Sequence, residues 1–194
     1  LGFAGQMENG IRRLERAEQA LAEVPLGGTA VGTGVNTHPE FAARTCRLLA
    51  EMTGVRIQET GNHFQAQASL DALVEASGVL KTVAISLHKI TNDIRFMASG
   101  PRAGLGEITV PEVQPGSSIM PGKVNPVICE AMMMVCAQVM GNDITISIGN
   151  ERGNFQLNVM MPVIAHNLIE SISILGRSAK ILADKAIRDF TVNT

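Results

Sequence analysis

Apolar residues recur every three to four positions along most of this chain, and that spacing predicts helices rather than strands. Ile11, Leu14, Ala17 and Leu21 form the first stripe, which predicts a helix from about Ile11 to Val24, ended by Pro25-Leu26-Gly27-Gly28. Thr37, with Glu40 three residues on, has the form of a capping box, so a second helix is expected to run to Met52 and to stop at Gly54. Val55 to Glu59 reads as a short extended link. A long helix is expected from about Phe64 to Ala98. Its seam of Val79, Val83, Leu87, Ile90, Ile94 and Met97 steps by four and three, as in helices packed side by side, with a bend at Ser77-Gly78 and a stop at Gly100-Pro101.

Residues 100 to 125 hold five glycines and four prolines and predict a long loop, a length usually reserved for function or disorder. From Pro126 to about Ile148 the polar face disappears: Ala131, Met132, Met133, Met134, Val135, Ala137, Val139 and Met140 leave a helix that must be buried, with other subunits as candidate covers. Gly149 to Gly153 predicts a break. A last helix is expected from Phe155 to about Phe190 on the stripe Leu168, Ile172, Leu175, Ala179 and Leu182, kinked or opened at Pro162. Three helices of roughly 25 to 35 residues are each about 35 to 50 Å long. So few long rods cannot bury that much apolar surface among themselves, which favours an all-α, oligomeric long-helix bundle.

Composition sharpens the picture in three places. The chain of 194 residues is 45% hydrophobic but 3% aromatic, with ten Met and no Trp or Tyr, which suits helix-on-helix packing in one sizeable domain. A net charge of −2 gives no support for nucleic-acid or anionic-membrane binding, and no uninterrupted apolar run of bilayer-spanning length stands out. Cys46, Cys129 and Cys136 are odd in number, and the last two sit seven apart on one predicted helix; reduced thiols in an intracellular protein are the plain reading. The start at Leu1 within a helical pattern and the end at Thr194 suggest a piece of a longer polypeptide.

The candidate chemistry concentrates in Gly116-Ser117-Ser118-Ile119-Met120-Pro121-Gly122-Lys123-Val124-Asn125-Pro126. Two hydroxyls, an ammonium and an amide fall within ten residues, just before a helix whose N-terminus favours negative charge. Lys123 and Asn125 are able to hold one carboxylate, or to be a solvated loop lysine and an N-cap; both readings stand on spacing. Ser117 and Ser118 are candidate general base or hydrogen-bond donor, against ordinary turn residues, since no His lies near in sequence to activate a hydroxyl. Glu130, among Cys129, Ala131 and Met132, is either a buried carboxylate in need of a partner or a helix-dipole contact on an exposed strip; its apolar neighbours favour the first. His38, His63, His88 and His166 are not spaced as metal ligands, so no metal or cofactor is expected. Gly27 to Gly34 matches no nucleotide-binding loop and reads as close backbone packing, with Thr29 and Thr33 as candidate edge contacts to a ligand.

These residues resemble the fumarase/aspartase superfamily. The loop from Gly116 to Pro126 is similar to its signature, and the likeness extends in order through Gly27 to Glu40 (GGTAVGTGVNTHPE), Lys89 to Glu107 (KITNDIRFMASGPRAGLGE), Ala137 to Asp143 (AQVMGND) and Gly153 to Pro162 (GNFQLNVMMP). Essentially the whole chain takes part, and the nearest branch is that of the class II, iron-independent fumarases.

The resemblance implies the central helical domain of a homotetramer, residues 1 to 194, with the family's N-terminal and C-terminal domains absent from the chain. It implies active sites assembled from three subunits and reversible anti addition of water to fumarate, giving malate, as in the tricarboxylic acid cycle. It assigns Ser117 as catalytic base, Glu130 as support for a catalytic histidine, and Ser118, Lys123, Val124 and Asn125 as substrate contacts. That histidine is expected upstream of Leu1; His63, in Thr60-Gly61-Asn62-His63-Phe64-Gln65, lies in a different family segment and does not inherit its role. Cytoplasmic location, or the mitochondrial matrix in a eukaryote, is the matching expectation. Aspartate ammonia-lyase, which shares the loop, and a catalytically incompetent oligomerisation core are the alternatives.

Overall fold

A computed structural model describes residues 1–100 and 102–194. Six α-helices carry the fold: α1 (Gly2–Leu21), α2 (Phe41–Thr53), α3 (His63–Ala68), α4 (Asp71–Met97), α5 (Val127–Glu151) and α6 (Met161–Leu182), the last followed by a π-helical turn at Ala183–Ile187. Four two-residue strands complete it. β1 (Glu23–Val24) pairs parallel with β2 (Gln58–Glu59), and β3 (Ile108–Thr109) pairs antiparallel with β4 (Thr191–Val192). The all-α expectation holds.

The chain divides into two compact units, one of residues 8–79 and 142–169, the other of residues 1–7, 80–141 and 170–194. In the first, Ala17, Ala42, Cys46, Ala76, Ile146, Ile164 and Leu168 are buried. The buried Ser77 hydroxyl donates to the buried Asp143 carboxylate at 2.7 Å. Ser77-Gly78 lies inside α4, which runs unbroken from Asp71 to Met97. The break comes earlier, at Ser69-Leu70. Ser69 is extended, and Leu70 N–H leaves the helical pattern to donate to Asn150 Oδ1 at 2.8 Å. The long helix expected from Phe64 is thus two helices, because a side chain distant in sequence captures the junction.

Other boundaries shift for equally local reasons. α2 starts at Phe41 behind Glu40, which makes no side-chain cap, so Thr37 is not the cap. Gly54 does end α2, in the left-handed region at φ 69° with its N–H on Ala50 O. The break expected at Gly149 to Gly153 starts after Glu151, since α5 runs on through Gly149: a Cβ there would lie 2.7 Å from Ile164 Cγ1, so this glycine allows close packing and the turn follows it. α6 begins at Met161, not Phe155, and Pro162 falls in its first turn, where a missing N–H costs nothing. Pro101 of the predicted stop after α4 lies outside the described residues.

In the second unit most buried residues come from the long helices, Leu80, Val83, Leu87, Ile90 and Ile94 on α4, Cys129, Met132, Cys136 and Val139 on α5, Leu175 and Leu182 on α6, joined by Ile108, Val110 and Ala186. The seam read on α4 is the buried one. On α6 the stripe runs through Ser171, and Ile172 is exposed instead. α5 is not buried all round: Met134, Ile144 and Ile148 are open, so the chain by itself covers one face of this helix. By length and composition α5 is apolar enough to cross a membrane, contrary to the expectation from sequence, although Asn142 and Asp143 within it are buried.

Candidate functional site

The chemistry-bearing loop enters from β3 and leaves into α5, both in the second unit. Its root is clasped by β4. Asn193 N–H donates to Glu107 O at 2.9 Å, its Nδ2 donates to Gly106 O at 2.7 Å, and its Oδ1 accepts from the Thr109 hydroxyl at 2.9 Å. The loop then closes on itself. Gly116 N–H donates to Lys123 O at 2.9 Å, and the Asn125 amide donates to Gly116 O at 3.2 Å. Asn125 thus commits one of its two amide N–H donors to the loop base and keeps the other, while the first α5 turn closes from Glu130 N–H to Pro126 O at 3.1 Å.

Beside this closed loop lies an open cleft of about 980 Å³. Lys123, Val124, Asn125 and Glu130 line it, together with Arg95 from the last turn of α4 and Asn193 just after β4. The start of the 25-residue α5 brings its positive end to the same place, so an ammonium, a guanidinium, an amide and a helix N-terminus converge on one open volume. That set suits an anion, and a carboxylate in particular.

Ser117 and Ser118 are not among the lining residues. Ser117 is half-buried and its Oγ accepts from Ile119 N–H at 3.3 Å; Ser118 is exposed. The structure therefore brings four of the six expected site residues together and leaves both serines on the loop. Glu130 departs from the buried-carboxylate expectation: its side chain is 41% exposed and faces Arg95, with Nε to Oε1 3.8 Å. The first turn of α5 emerges into the cleft rather than into the core, so the carboxylate keeps both water and a cation.

Arg95 and Asn193 were not singled out by sequence reasoning. Arg95 follows the seam residue Ile94 directly, and its placement beside a cation-seeking Glu130 thirty-five positions on depends on packing that periodicity does not encode. Asn193 lies near the end of a stretch with no helical spacing.

The neighbouring thiols are closed off. Cys129 is 1% and Cys136 0% exposed, and burial pushes each up to about 11. At Cys129 the Glu130 charge adds to the rise and Arg95 opposes it. Burial also raises Cys46, and all three cysteines are free.

None of the four histidines lines the cleft. His63 lies in the first unit, its Nε2 3.0 Å from Leu26 O and 3.3 Å from Glu59 Oε1, a packing role for the ring. The glycine run is packed as expected: a Cβ on Gly27, which sits at φ 100°, would meet Ala42 Cβ at 2.6 Å. Thr29 O accepts from the Gln67 amide at 2.6 Å. Among the described residues no three His, Cys, Asp or Glu side chains cluster closely enough to hold a metal ion.

Comparison with known proteins adds the chemistry's context. Residues 1–141 match a protein family described as Lyase. The chain is 58% identical over 175 residues to the class II fumarate hydratase of Neisseria meningitidis, covering 90% of this chain and 38% of that protein. It is 51% identical over 193 residues to that of Corynebacterium efficiens, covering 99% and 41%. Among solved structures, the class II fumarase of Schistosoma mansoni superposes with a TM-score of 0.97 at 37% identity, covering 99% of this chain and 43% of that one. The chain thus spans about two fifths of the length of the relatives it matches.

Proposed function

The chain belongs to the lyase family, and from that premise we propose that it is the central segment of a fumarate hydratase, whose whole polypeptide adds water reversibly to fumarate to give malate. The observation that carries this reading is the convergence of Lys123, Asn125 and Glu130 on one cleft at the positive end of α5. Similarity to class II fumarate hydratases over nearly the whole chain supports the same chemistry.

In this reading the Lys123 ammonium and the Asn125 amide hold one carboxylate of the substrate. As a proton leaves the adjacent carbon, negative charge grows on that carboxylate. A fixed cation, an amide and a helix N-terminus favour the charge-rich state more than the substrate itself. Val124 supplies wall and Ser118 a further contact. Ser117 is the base, and it reaches the substrate as the loop closes and excludes bulk water. Its hydroxyl needs a partner to lose a proton readily. The family resemblance gives Glu130 the role of supporting a histidine, here supplied from elsewhere in the complete assembly.

We assign that assembly as a homotetramer, with the flanking domains and the histidine segment on the rest of the polypeptide. Apolar side chains left open by this chain, such as Leu48 and Met52 on α2 and Met134 and Ile144 on α5, support extensive burial against further protein. The role in the tricarboxylic acid cycle and the cytoplasmic or matrix location follow from this proposal. Because one wall of the site is all that residues 1–194 offer, this segment alone has negligible turnover.

The test is an assay of the full-length parent for interconversion of fumarate and malate, beside release of ammonia from aspartate. Malate dehydration without ammonia release is the expected result. The reverse outcome would replace the reading with an aspartate ammonia-lyase.

A further inference from the structure

Arg95 stands out among the cleft residues because the function proposed above leaves it without a task. It projects from the last turn of α4 with its side chain 48% exposed, and its Nε lies 3.8 Å from Glu130 Oε1. That is an ion-pair distance rather than a hydrogen bond. Among the described residues Arg95 makes no other ion pair. The proximity is felt by a third group as well: the buried Cys129 thiol responds to Glu130 in one direction and to Arg95 in the other, so the two charges bear on the same spot.

An exposed pair of this kind contributes little to stability, since water screens it and two long side chains lose freedom. Its geometry suits a different purpose. Glu130 stands on the first turn of α5, on a side chain with three rotatable bonds and open water around it. Left alone, its carboxylate samples several rotamers. A guanidinium carried by a separate helix restricts that sampling through its charge. Lys123, the other cation lining the cleft near this helix start, belongs to the loop and not to a helix. The fixed charge is therefore Arg95, and the movable one is Lys123.

We propose that Arg95 is a positioning residue for Glu130, holding the carboxylate over the cleft in the orientation from which it supports the catalytic group presented to it. This rests on the fumarate hydratase reading and on the role that reading gives Glu130. In this role Arg95 acts through Glu130 rather than on substrate, although its guanidinium shares the cleft, so its removal acts on the chemical step and not on binding. In the full-length enzyme, Arg95→Ala is expected to lower kcat by roughly ten- to a hundredfold, the range for a misplaced catalytic group, with KM changed by less than about threefold. Arg95→Lys restores part of kcat. In a Glu130→Gln background, Arg95→Ala lowers kcat by no more than about a further twofold, because the partner it orients is already disabled.

Besides an unimpaired variant, two kinetic patterns overturn the inference. One is a large rise in KM with kcat kept, which would make Arg95 a substrate contact. The other is an equal loss of kcat in the presence and absence of the Glu130 carboxylate, which would make Arg95 a structural residue. Failure of the underlying reading looks different: a wild-type parent with no hydratase activity removes the reading and this inference together, whereas an active parent with an unimpaired Arg95→Ala variant removes the inference alone.

Discussion

Gly116 and Lys123 close the signature loop through their backbones, and they do so at a distance only glycine permits. The Gly116 N–H donates to Lys123 O at 2.9 Å, while a Cβ on Gly116 would lie 2.4 Å from that same oxygen. The carbonyl belongs to rigid backbone, so it cannot swing aside as a side-chain end would. Any larger residue must open the ring that presents Lys123 and Asn125 to the cleft.

Gly116→Ala in the full-length protein is therefore expected to impair turnover at least tenfold while leaving the helical fold intact. The clash is of the overpacking kind, about 1–3 kcal/mol, and it falls on an open loop outside the core. Steady-state kinetics together with far-ultraviolet circular dichroism test this. Wild-type kinetics in a folded variant would show that the ring is not required.

Lys123→Ala should act mainly on substrate use. A charge-assisted hydrogen bond contributes about 1.5–3 kcal/mol, which corresponds to a loss of kcat/KM of roughly ten- to a hundredfold. Product-inhibition constants for malate and for a neutral diamide analogue separate charge from shape. The acid should lose affinity and the diamide should not.

The Ser77–Asp143 pair is a stability prediction, independent of catalysis. Both residues are buried, at 3% and 5% exposure. Ser77→Ala removes one donor from a buried carboxylate, a change expected to cost about 1–3 kcal/mol. A lowered Tm in calorimetry of the intact protein, with kcat/KM nearly unchanged at low temperature, is the predicted pattern. No change in Tm would show that water replaces the serine without loss.

The thiols give a pH dependence with a definite sign. Burial raises Cys129 and Cys136 from 9.0 to about 11, so the folded state holds these protons more tightly than the unfolded state does. Their contribution to stability is complete below about pH 9 and is lost as pH rises from 9 towards 11. Thermal denaturation midpoints should fall across that window, and less steeply in the Cys129→Ala/Cys136→Ala double variant. In the native protein at neutral pH both thiols should resist aromatic disulfide reagents and should react once denaturant exposes them.

The sequence by itself determined that the chain is built of helices and roughly where most of them lie, because apolar spacing reports the period of the backbone whatever the partner. It started the first helix late, at Ile11 and not Gly2, and the last one early, at Phe155 and not Met161. It carried the α4 seam through Val83, Leu87, Ile90 and Ile94, the stop at Gly54, and the loop that bears Lys123 and Asn125. Tertiary structure decided what local spacing cannot encode. Asn150 reached back across eighty residues to divide one expected helix into two. Ile164 packed onto Gly149 and carried α5 two residues further, to Glu151, before the expected break. Arg95 came to rest beside Glu130, which then faced the cleft instead of the core. In each case a side chain or backbone group distant in the chain supplied the deciding contact, and the energy of such a contact exists only once the helices have come together.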